Sequence, residues 1–116
     1  ETFRARQLMK HEVTTKGDTA IIALKGEVDL ESSPVARELL LSNVAGKKNI
    51  LVDLSAVSYI DSSGVASLVE ALQASRKNGT ELALAAASEA ALRVLELARL
   101  DKVFTMYDTV DDGLNA

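Results

Sequence analysis

Several residue types that commonly stabilise or activate small proteins are absent or scarce in this chain. Its 116 residues include no cysteine, no tryptophan, one proline, one histidine, two tyrosines and two phenylalanines. Without cysteine the chain has no disulfide framework, no thiol nucleophile and no cysteine zinc site. The scarcity of aromatic residues predicts a core built from aliphatic side chains and alanine.

Long hydrophobic runs and concentrated positive charge are missing as well. No apolar run approaches the roughly 18 residues that a membrane helix requires, so membrane insertion is not expected. Thirteen basic residues against seventeen acidic ones give a formal charge of -4, and no basic run is longer than Lys47-Lys48 or Arg76-Lys77. Because binding to a phosphate backbone normally needs a concentrated basic patch, direct contact with nucleic acid is not expected either.

The residues that are present predict one folded domain in which strands alternate with helices. A hydrophobic fraction of 47% and a charged fraction of 26% are ordinary for a single-core protein of this length. We expect an N-terminal extension over residues 1–7 and a single domain over residues 8–116. Periodicity and turn residues predict the elements in the order ββαβαβαβα: strands at 8–15, 19–25, 49–54, 81–86 and 102–106, and helices at 34–44, 63–77, 89–99 and 110–114. This order predicts an α/β fold with a mixed, mostly parallel sheet and crossover helices, in which the first two strands form an antiparallel hairpin.

Local signals mark the ends of the predicted elements. The second strand is expected to stop at Gly26, before a short connection over residues 27–30. Ser32-Ser33-Pro34 is typical of a helix start, and Gly46 of a helix end. Ser88 and Asp108 are expected to cap the last two helices, the first of which should pack through Leu92, Leu95 and Ala98.

The hydrophobic period changes at Asp61-Ser62-Ser63-Gly64. Apolar residues before this segment cluster as in a buried strand, whereas Val65, Leu68, Val69 and Leu72 follow the spacing of an amphipathic helix. Two hydroxyls and a carboxylate therefore lie at a strand-to-helix junction, where unpaired N-H groups and the helix dipole favour negative charge. In parallel sheets, partner and ligand sites gather at this end of the strands. Capping alone would account for one of these side chains, so the residues by themselves support a helix cap and a functional site about equally.

Enzymatic functions lack their necessary residues. A serine hydrolase would need Gly-X-Ser-X-Gly and a histidine later in the chain, and a nucleotide-binding loop would need a glycine-rich segment before Lys-Ser or Lys-Thr. Neither is present, and the single histidine, His11, falls on a predicted edge strand. Asp53 ends a predicted strand, as the acceptor of a phosphoaspartate receiver would. A receiver also needs an acidic pair after its first strand and a lysine after a late strand. The acidic residues present are a poor substitute for that pair, and Lys102 precedes its strand. No catalytic residue, metal or cofactor is expected.

Three segments, in the right order, resemble the STAS domain of bacterial anti-sigma factor antagonists. They are Gly26-Glu-Val-Asp29, then Asp53-Leu-Ser-Ala-Val-Ser-Tyr-Ile-Asp-Ser-Ser-Gly64, and finally Ala98-Arg-Leu-Asp-Lys-Val-Phe104 with Tyr107-Asp108. The central segment is a specific signal, and the similarity runs from about residue 8 to the end of the chain. Ala66 and Arg99 stand where glycine is common in that family, which could alter the partner that fits.

The resemblance implies a single α/β domain that works as a regulatory switch in the cytoplasm. The first serine of the central motif, here Ser62, would be phosphorylated by a partner that is both a serine kinase and an anti-sigma factor. The unphosphorylated form would bind that partner and free a sigma factor, and a serine phosphatase would restore this form. Asp29 would lie near the phosphorylation site, and Asp61, Ser62, Ser63 and Gly64 would form the partner contact.

A second function is compatible with the same resemblance. The chain would then be a STAS subunit of a larger assembly, such as a lipid-transport complex or a signalling scaffold. In that case Asp61-Ser62-Ser63-Gly64 would be a constitutive docking surface rather than a switch.

Overall fold

The computed structural model describes residues 8–116, which form five strands and four α-helices. Their order is ββαβαβαβα, as predicted, and a single 3-10 turn at Leu100–Lys102 precedes the last strand. The elements are β1 (Lys10–Lys16), β2 (Thr19–Val28), α1 (Ser33–Ala45), β3 (Asn49–Ile60), α2 (Ser62–Lys77), β4 (Leu82–Ala85), α3 (Glu89–Leu97), β5 (Thr105–Tyr107) and α4 (Val110–Leu114). The expected extension over residues 1–7 lies outside the described residues.

The sheet is mixed and its strands lie in chain order, β1-β2-β3-β4-β5. β1 pairs antiparallel with β2, and the three remaining pairs are parallel. A helix connects the two strands of every parallel pair, as crossover connections require. The predicted α/β fold, with a hairpin at one edge of a mostly parallel sheet, is confirmed.

The core is one cluster of aliphatic side chains between the sheet and its helices. Alternate residues of β3 enter it, and α1, α2 and α3 each contribute apolar positions spaced three or four residues apart. The cluster includes Ile22, Leu24, Ala36, Leu40, Val44, Ile50, Val52, Leu54, Leu68, Ala71, Leu84, Ala91 and Leu95. Leu51 points to the opposite face of the sheet, because it alternates with Ile50 and Val52, and there it lies beside Gly113 of α4.

β2 and β3 are longer than predicted. β2 does not stop at Gly26 but continues to Val28, and its pairing with β3 is interrupted by two register shifts between Ala23 and Glu27. Gly26 has a φ of +87°, so its conformational freedom is used inside the strand, at an irregularity of the β-bulge type, and not at its end. β3 likewise runs to Ile60, while its pairing with β4 covers only Ile50 to Asp53.

The second half of β3 is covered by the start of α3 instead of by β4. The Ser88 N-H donates to the Leu54 carbonyl oxygen at 3.2 Å, and the Ser88 hydroxyl donates to the Val57 carbonyl oxygen at 2.6 Å. The same hydroxyl oxygen accepts the Ala91 N-H at 3.2 Å, so the predicted Ser88 cap is confirmed. One serine therefore starts a helix and pairs the β3 edge that β4 leaves uncovered.

Several predicted ends are wrong in the last third of the chain. α3 ends at Leu97, and Ala98 is an exposed C-cap residue that does not pack into the core. Residues 100–102 form the 3-10 turn, so β5 begins at Thr105 and not at residue 102. The cap of α4 is Thr109, whose hydroxyl oxygen accepts the Asp112 N-H at 3.0 Å, and not Asp108.

Arg99 carries backbone strain at the exit of α3. Its φ is +60°, in the left-handed region that costs a residue with a Cβ atom about 1–2 kcal/mol and costs glycine little. We expect Arg99→Gly to raise the free energy of unfolding by about 0.5–1 kcal/mol, after allowing for the greater flexibility of glycine in the unfolded chain. Urea denaturation measures this change.

Arg99→Ala is the matched control, because it removes the same charge and keeps the Cβ atom. It should give no comparable gain. Equal stabilisation by both variants would show that the effect comes from the lost charge and not from the backbone.

Candidate functional site

The candidate site lies where β2 and β3 end side by side and α2 begins. Val28 and Ile60 are the last paired residues of the two strands, and the Asp61 N-H donates to the Val28 carbonyl oxygen at 3.2 Å. Ser62 is the first residue of α2. The structure thus brings the β2–α1 loop, which contains Asp29, next to the segment 61–64, so the site residues predicted from the sequence share one end of the sheet.

Asp61 is the residue that joins these segments. Its Oδ1 accepts the Ser63 N-H at 3.0 Å, the Gly64 N-H at 3.2 Å and the Ser63 hydroxyl at 2.5 Å. The N-H of Leu30 in the β2–α1 loop lies close enough to the carboxylate to help lower its pKa. Partial burial by itself would raise the pKa of Asp61, but the Ser63 hydroxyl and the three N-H groups together hold that pKa below its usual value.

Ser62 and Ser63 differ in accessibility although they are adjacent. The Ser62 side chain is exposed, and its hydroxyl makes no hydrogen bond to any other residue between 8 and 116. Ser63 is half-buried, and its hydroxyl is bound to Asp61. Of the two hydroxyls, that of Ser62 is available to another molecule.

Gly64 allows the first turn of α2 to sit against the end of β2. A Cβ atom at this position would lie 2.8 Å from side-chain atoms of Ile60 and Val28 and 2.8 Å from the Val28 carbonyl oxygen. Real Cβ atoms do not approach other atoms so closely. Glycine is therefore required here for packing and not for an unusual φ.

Asp29 organises the loop that carries it. Its Oδ1 accepts the N-H groups of Glu31 and Ser32, both at 3.1 Å. The Ser32 hydroxyl accepts the Asp29 N-H at 2.9 Å and donates to the Glu27 carbonyl oxygen at 2.9 Å, so Ser32 lies at the N-cap position of α1 without capping it. The predicted proximity of Asp29 to the site arises from this loop, in which the next residue, Leu30, contacts Asp61.

Two exposed apolar side chains beside the site were not identified from the sequence. Leu30 is 76% exposed and Tyr59, which pairs with Glu27 near the end of β3, is 48% exposed. Exposed apolar side chains next to a candidate site provide apolar area that a bound protein can cover. The sequence did contain an indication that Leu30 is exposed. It is an apolar residue between Asp29 and Glu31, in a connection too short to reach the core.

A groove of about 710 Å³ runs between α1 and α2 from the site, with Ser63 and Ser67 among the residues that line it. An ion pair links the two helices here, with Arg37 Nε at 2.9 and 2.8 Å from the two carboxylate oxygens of Glu70. The contact raises the pKa of Arg37 and lowers that of Glu70. Both side chains are exposed, so this ion pair contributes little to the free energy of unfolding. Its effect is on the shape of the groove. No sequence pattern indicated it, because the two residues belong to different helices.

Other residues considered in the sequence do not form a second site. Asp53 does not end a strand: it lies within β3, and its Oδ1 accepts the Ser55 N-H at 2.9 Å. His11 is exposed on β1, and residues 8–116 contain no cluster of three or more acidic or histidine side chains that could hold a metal ion. None of the helices in this part of the chain is long and apolar enough to cross a membrane.

Comparison with known proteins identifies the family. The STAS domain model matches residues 10–113, so the chain belongs to the STAS domain family. The anti-sigma-B factor antagonist of Staphylococcus aureus (strain NCTC 8325) is 32% identical over 90 residues, which cover 77% of this chain and 83% of the relative. The anti-sigma-B factor antagonist of Bacillus subtilis (strain 168) is 28% identical over 93 residues, covering 80% and 85%.

A solved structure extends the similarity over nearly the whole fold. The crystal structure of an anti-sigma factor antagonist from Mycobacterium paratuberculosis matches with a TM-score of 0.87 at 27% identity, covering 97% of both chains. The resemblance inferred from the three sequence segments is confirmed.

Gly64→Ala should destabilise the protein through this packing. The added Cβ must push α2 away from the end of β2, and we expect a loss of about 1–3 kcal/mol in the free energy of unfolding. Chemical denaturation measures the loss. Gly46→Ala is the matched control, because a Cβ there would meet nothing closer than 3.4 Å, and it should change stability little. Equal effects at the two positions would contradict the packing argument.

Proposed function

We propose that this protein is an anti-sigma factor antagonist whose binding is switched by phosphorylation of Ser62. The unphosphorylated form binds an anti-sigma factor that is also a serine kinase, and so releases a sigma factor in the cytoplasm. Phosphate on Ser62 ends the interaction, and a serine phosphatase restores it. The names of the Staphylococcus and Bacillus relatives support the antagonist role.

The observation that carries the proposal is the Ser62 hydroxyl. It is exposed, it is unbonded within residues 8–116, and it projects from a turn that Asp61 and Gly64 hold in place. A kinase must align an acceptor oxygen with the transferred phosphoryl group, and a fixed acceptor reduces the entropy lost in that alignment. The surface around it, with Leu30, Tyr59 and Asp29, is the partner contact that we propose.

The protein acts here as the substrate and not as the enzyme. Asp61, the neighbouring carboxylate, accepts three hydrogen bonds and has a lowered pKa, which makes it a poor base for the Ser62 proton. The proton must therefore be removed by a group of the partner kinase. We propose a binding module without catalytic activity of its own.

Phosphorylation at this position changes the surface more than the fold. A phosphate adds about -1.5 to -2 charge, and at the first residue of α2 the helix dipole favours that charge. The adjacent end of β2 carries Glu27, and the loop after it carries Asp29 and Glu31. A carboxylate of the partner about 5 Å from the phosphate would cost ~3 kcal/mol per unit charge at an effective dielectric constant near 20, a factor of ~100 in affinity.

Incubation with the cognate anti-sigma factor and ATP, followed by peptide mass spectrometry, tests the assignment. We expect phosphate on Ser62 in the wild-type chain and none in Ser62→Ala. Ser62→Asp should weaken binding of the anti-sigma factor by up to ~100-fold while its circular dichroism spectrum stays native. Phosphate on another residue, or binding by Ser62→Asp at wild-type strength, would contradict the proposal.

Leu30→Ala tests the proposed contact surface. Removing most of an apolar side chain that the partner buries should weaken binding roughly tenfold, in calorimetric titration against the anti-sigma factor. Leu97→Ala is the matched control, because Leu97 is 80% exposed at the end of α3. That helix runs back along the sheet after β4, so its last turn lies at the end opposite Ser62. Equal losses in the two variants would place the contact elsewhere.

A further inference from the structure

The structure around Ser62 and Ser63 contains more hydrogen bonds than a helix cap requires. The N-H groups of Ser63 and Gly64 already satisfy the capping role of Asp61. The Ser63 hydroxyl adds a third bond to the same Oδ1, at 2.5 Å, and this is the shortest of the three. A hydrogen bond to a charged acceptor is about twice as strong as a neutral one, so this bond holds both of its partners firmly.

We propose that Ser63 is a positioning residue for phosphorylation at Ser62 and is not itself an acceptor. Its hydroxyl fixes the Asp61 carboxylate, and that carboxylate in turn fixes the first turn of α2 through the Ser63 and Gly64 N-H groups. Ser63 thereby sets the position of the acceptor hydroxyl of Ser62, the first residue of that turn. The inference rests on the proposed function and adds the means by which one of two neighbouring serines is selected.

Ser63 is held from its other side as well. Its carbonyl oxygen accepts the Ser67 hydroxyl at 3.1 Å, and the Ser67 hydroxyl oxygen also lies 3.3 Å from the carbonyl oxygen of Ser33, the first residue of α1. Ser67 is buried. Ser63 therefore connects α2 to two other segments: the end of β3 through Asp61, and the start of α1 through Ser67.

The same contacts exclude Ser63 as an acceptor. A phosphoryl donor would have to reach a half-buried oxygen, replace its bond to Asp61, and bring its own negative charge against that carboxylate. The Ser62 hydroxyl meets neither of the first two obstacles, because it is exposed and unbonded within residues 8–116. Kinase specificity between the two serines is thus built into the substrate.

Three variants test the positioning role: Ser63→Ala removes the hydroxyl, Ser63→Thr retains one, and Ser62→Ala is the matched control at the neighbouring position. We expect Ser63→Ala to raise the pKa of Asp61 in an NMR titration and to accelerate hydrogen exchange of the Gly64 amide, which Asp61 binds, about tenfold. It should also lower kcat/KM for phosphorylation of Ser62 by the cognate anti-sigma factor kinase about tenfold. Ser63→Thr should restore all three values, because threonine keeps a hydroxyl. If position 63 required only a small side chain, Ser63→Ala would be tolerated and Ser63→Thr would not.

Ser62→Ala should leave the Asp61 pKa and Gly64 exchange at their wild-type values and should take up no phosphate. Phosphate on Ser63 in this variant would overturn the inference. So would an Asp61 pKa, Gly64 exchange rate and kcat/KM in Ser63→Ala that equal those of the wild type. If the wild-type chain takes no phosphate at all, the proposed function fails, while the NMR titration and the exchange rate still decide whether Ser63 positions Asp61 and the first turn of α2.

Discussion

The hydrogen bonds accepted by the Asp61 carboxylate are the constraint on which the functional end of this protein depends. One side chain accepts two N-H groups from the start of α2 and the hydroxyl of Ser63, and the N-H of Leu30 lies close enough to help lower its pKa. Ser63 and Leu30 belong to segments about thirty residues apart in the chain. The half-buried Asp61 side chain therefore fixes the start of α2, beside the β2–α1 loop and the exposed Ser62 hydroxyl.

The two longest strands of the sheet, β2 and β3, support this arrangement because they extend beyond β4. β2 and β3 continue past the point where β4 stops, and the irregular pairing around Gly26 lets the two strands stay together as they twist. Ser88 covers the exposed carbonyl groups on the other side of β3. The site thus lies on regular secondary structure whose backbone groups are satisfied, and this is the kind of support that keeps an interaction surface rigid.

The sequence was sufficient for the element order, the hairpin, the aliphatic core and the strand-to-helix junction at residues 61–64, because periodicity and capping residues are local signals. It was insufficient where distant residues decide the outcome. A glycine at position 26 predicted the end of a strand, but β2 continues past it because Gly26 is paired with β3. Asp108 and Thr109 are equally good caps in the sequence, and only the geometry of α4 selects Thr109. The Leu30 contact with Asp61 and the Arg37–Glu70 pair join separate elements, so no local pattern could reveal them.

The four residues at positions 61–64 differ in whether the fold depends on their side chains. Asp61, Ser63 and Gly64 are bound to the fold by hydrogen bonds or by close packing, whereas the Ser62 side chain contributes neither within residues 8–116. Selection for folding therefore acts on three of these positions and leaves position 62 free to change without loss of stability. Under the function proposed above, a single codon change there would remove or create the phosphorylation switch, and the protein would stay folded throughout.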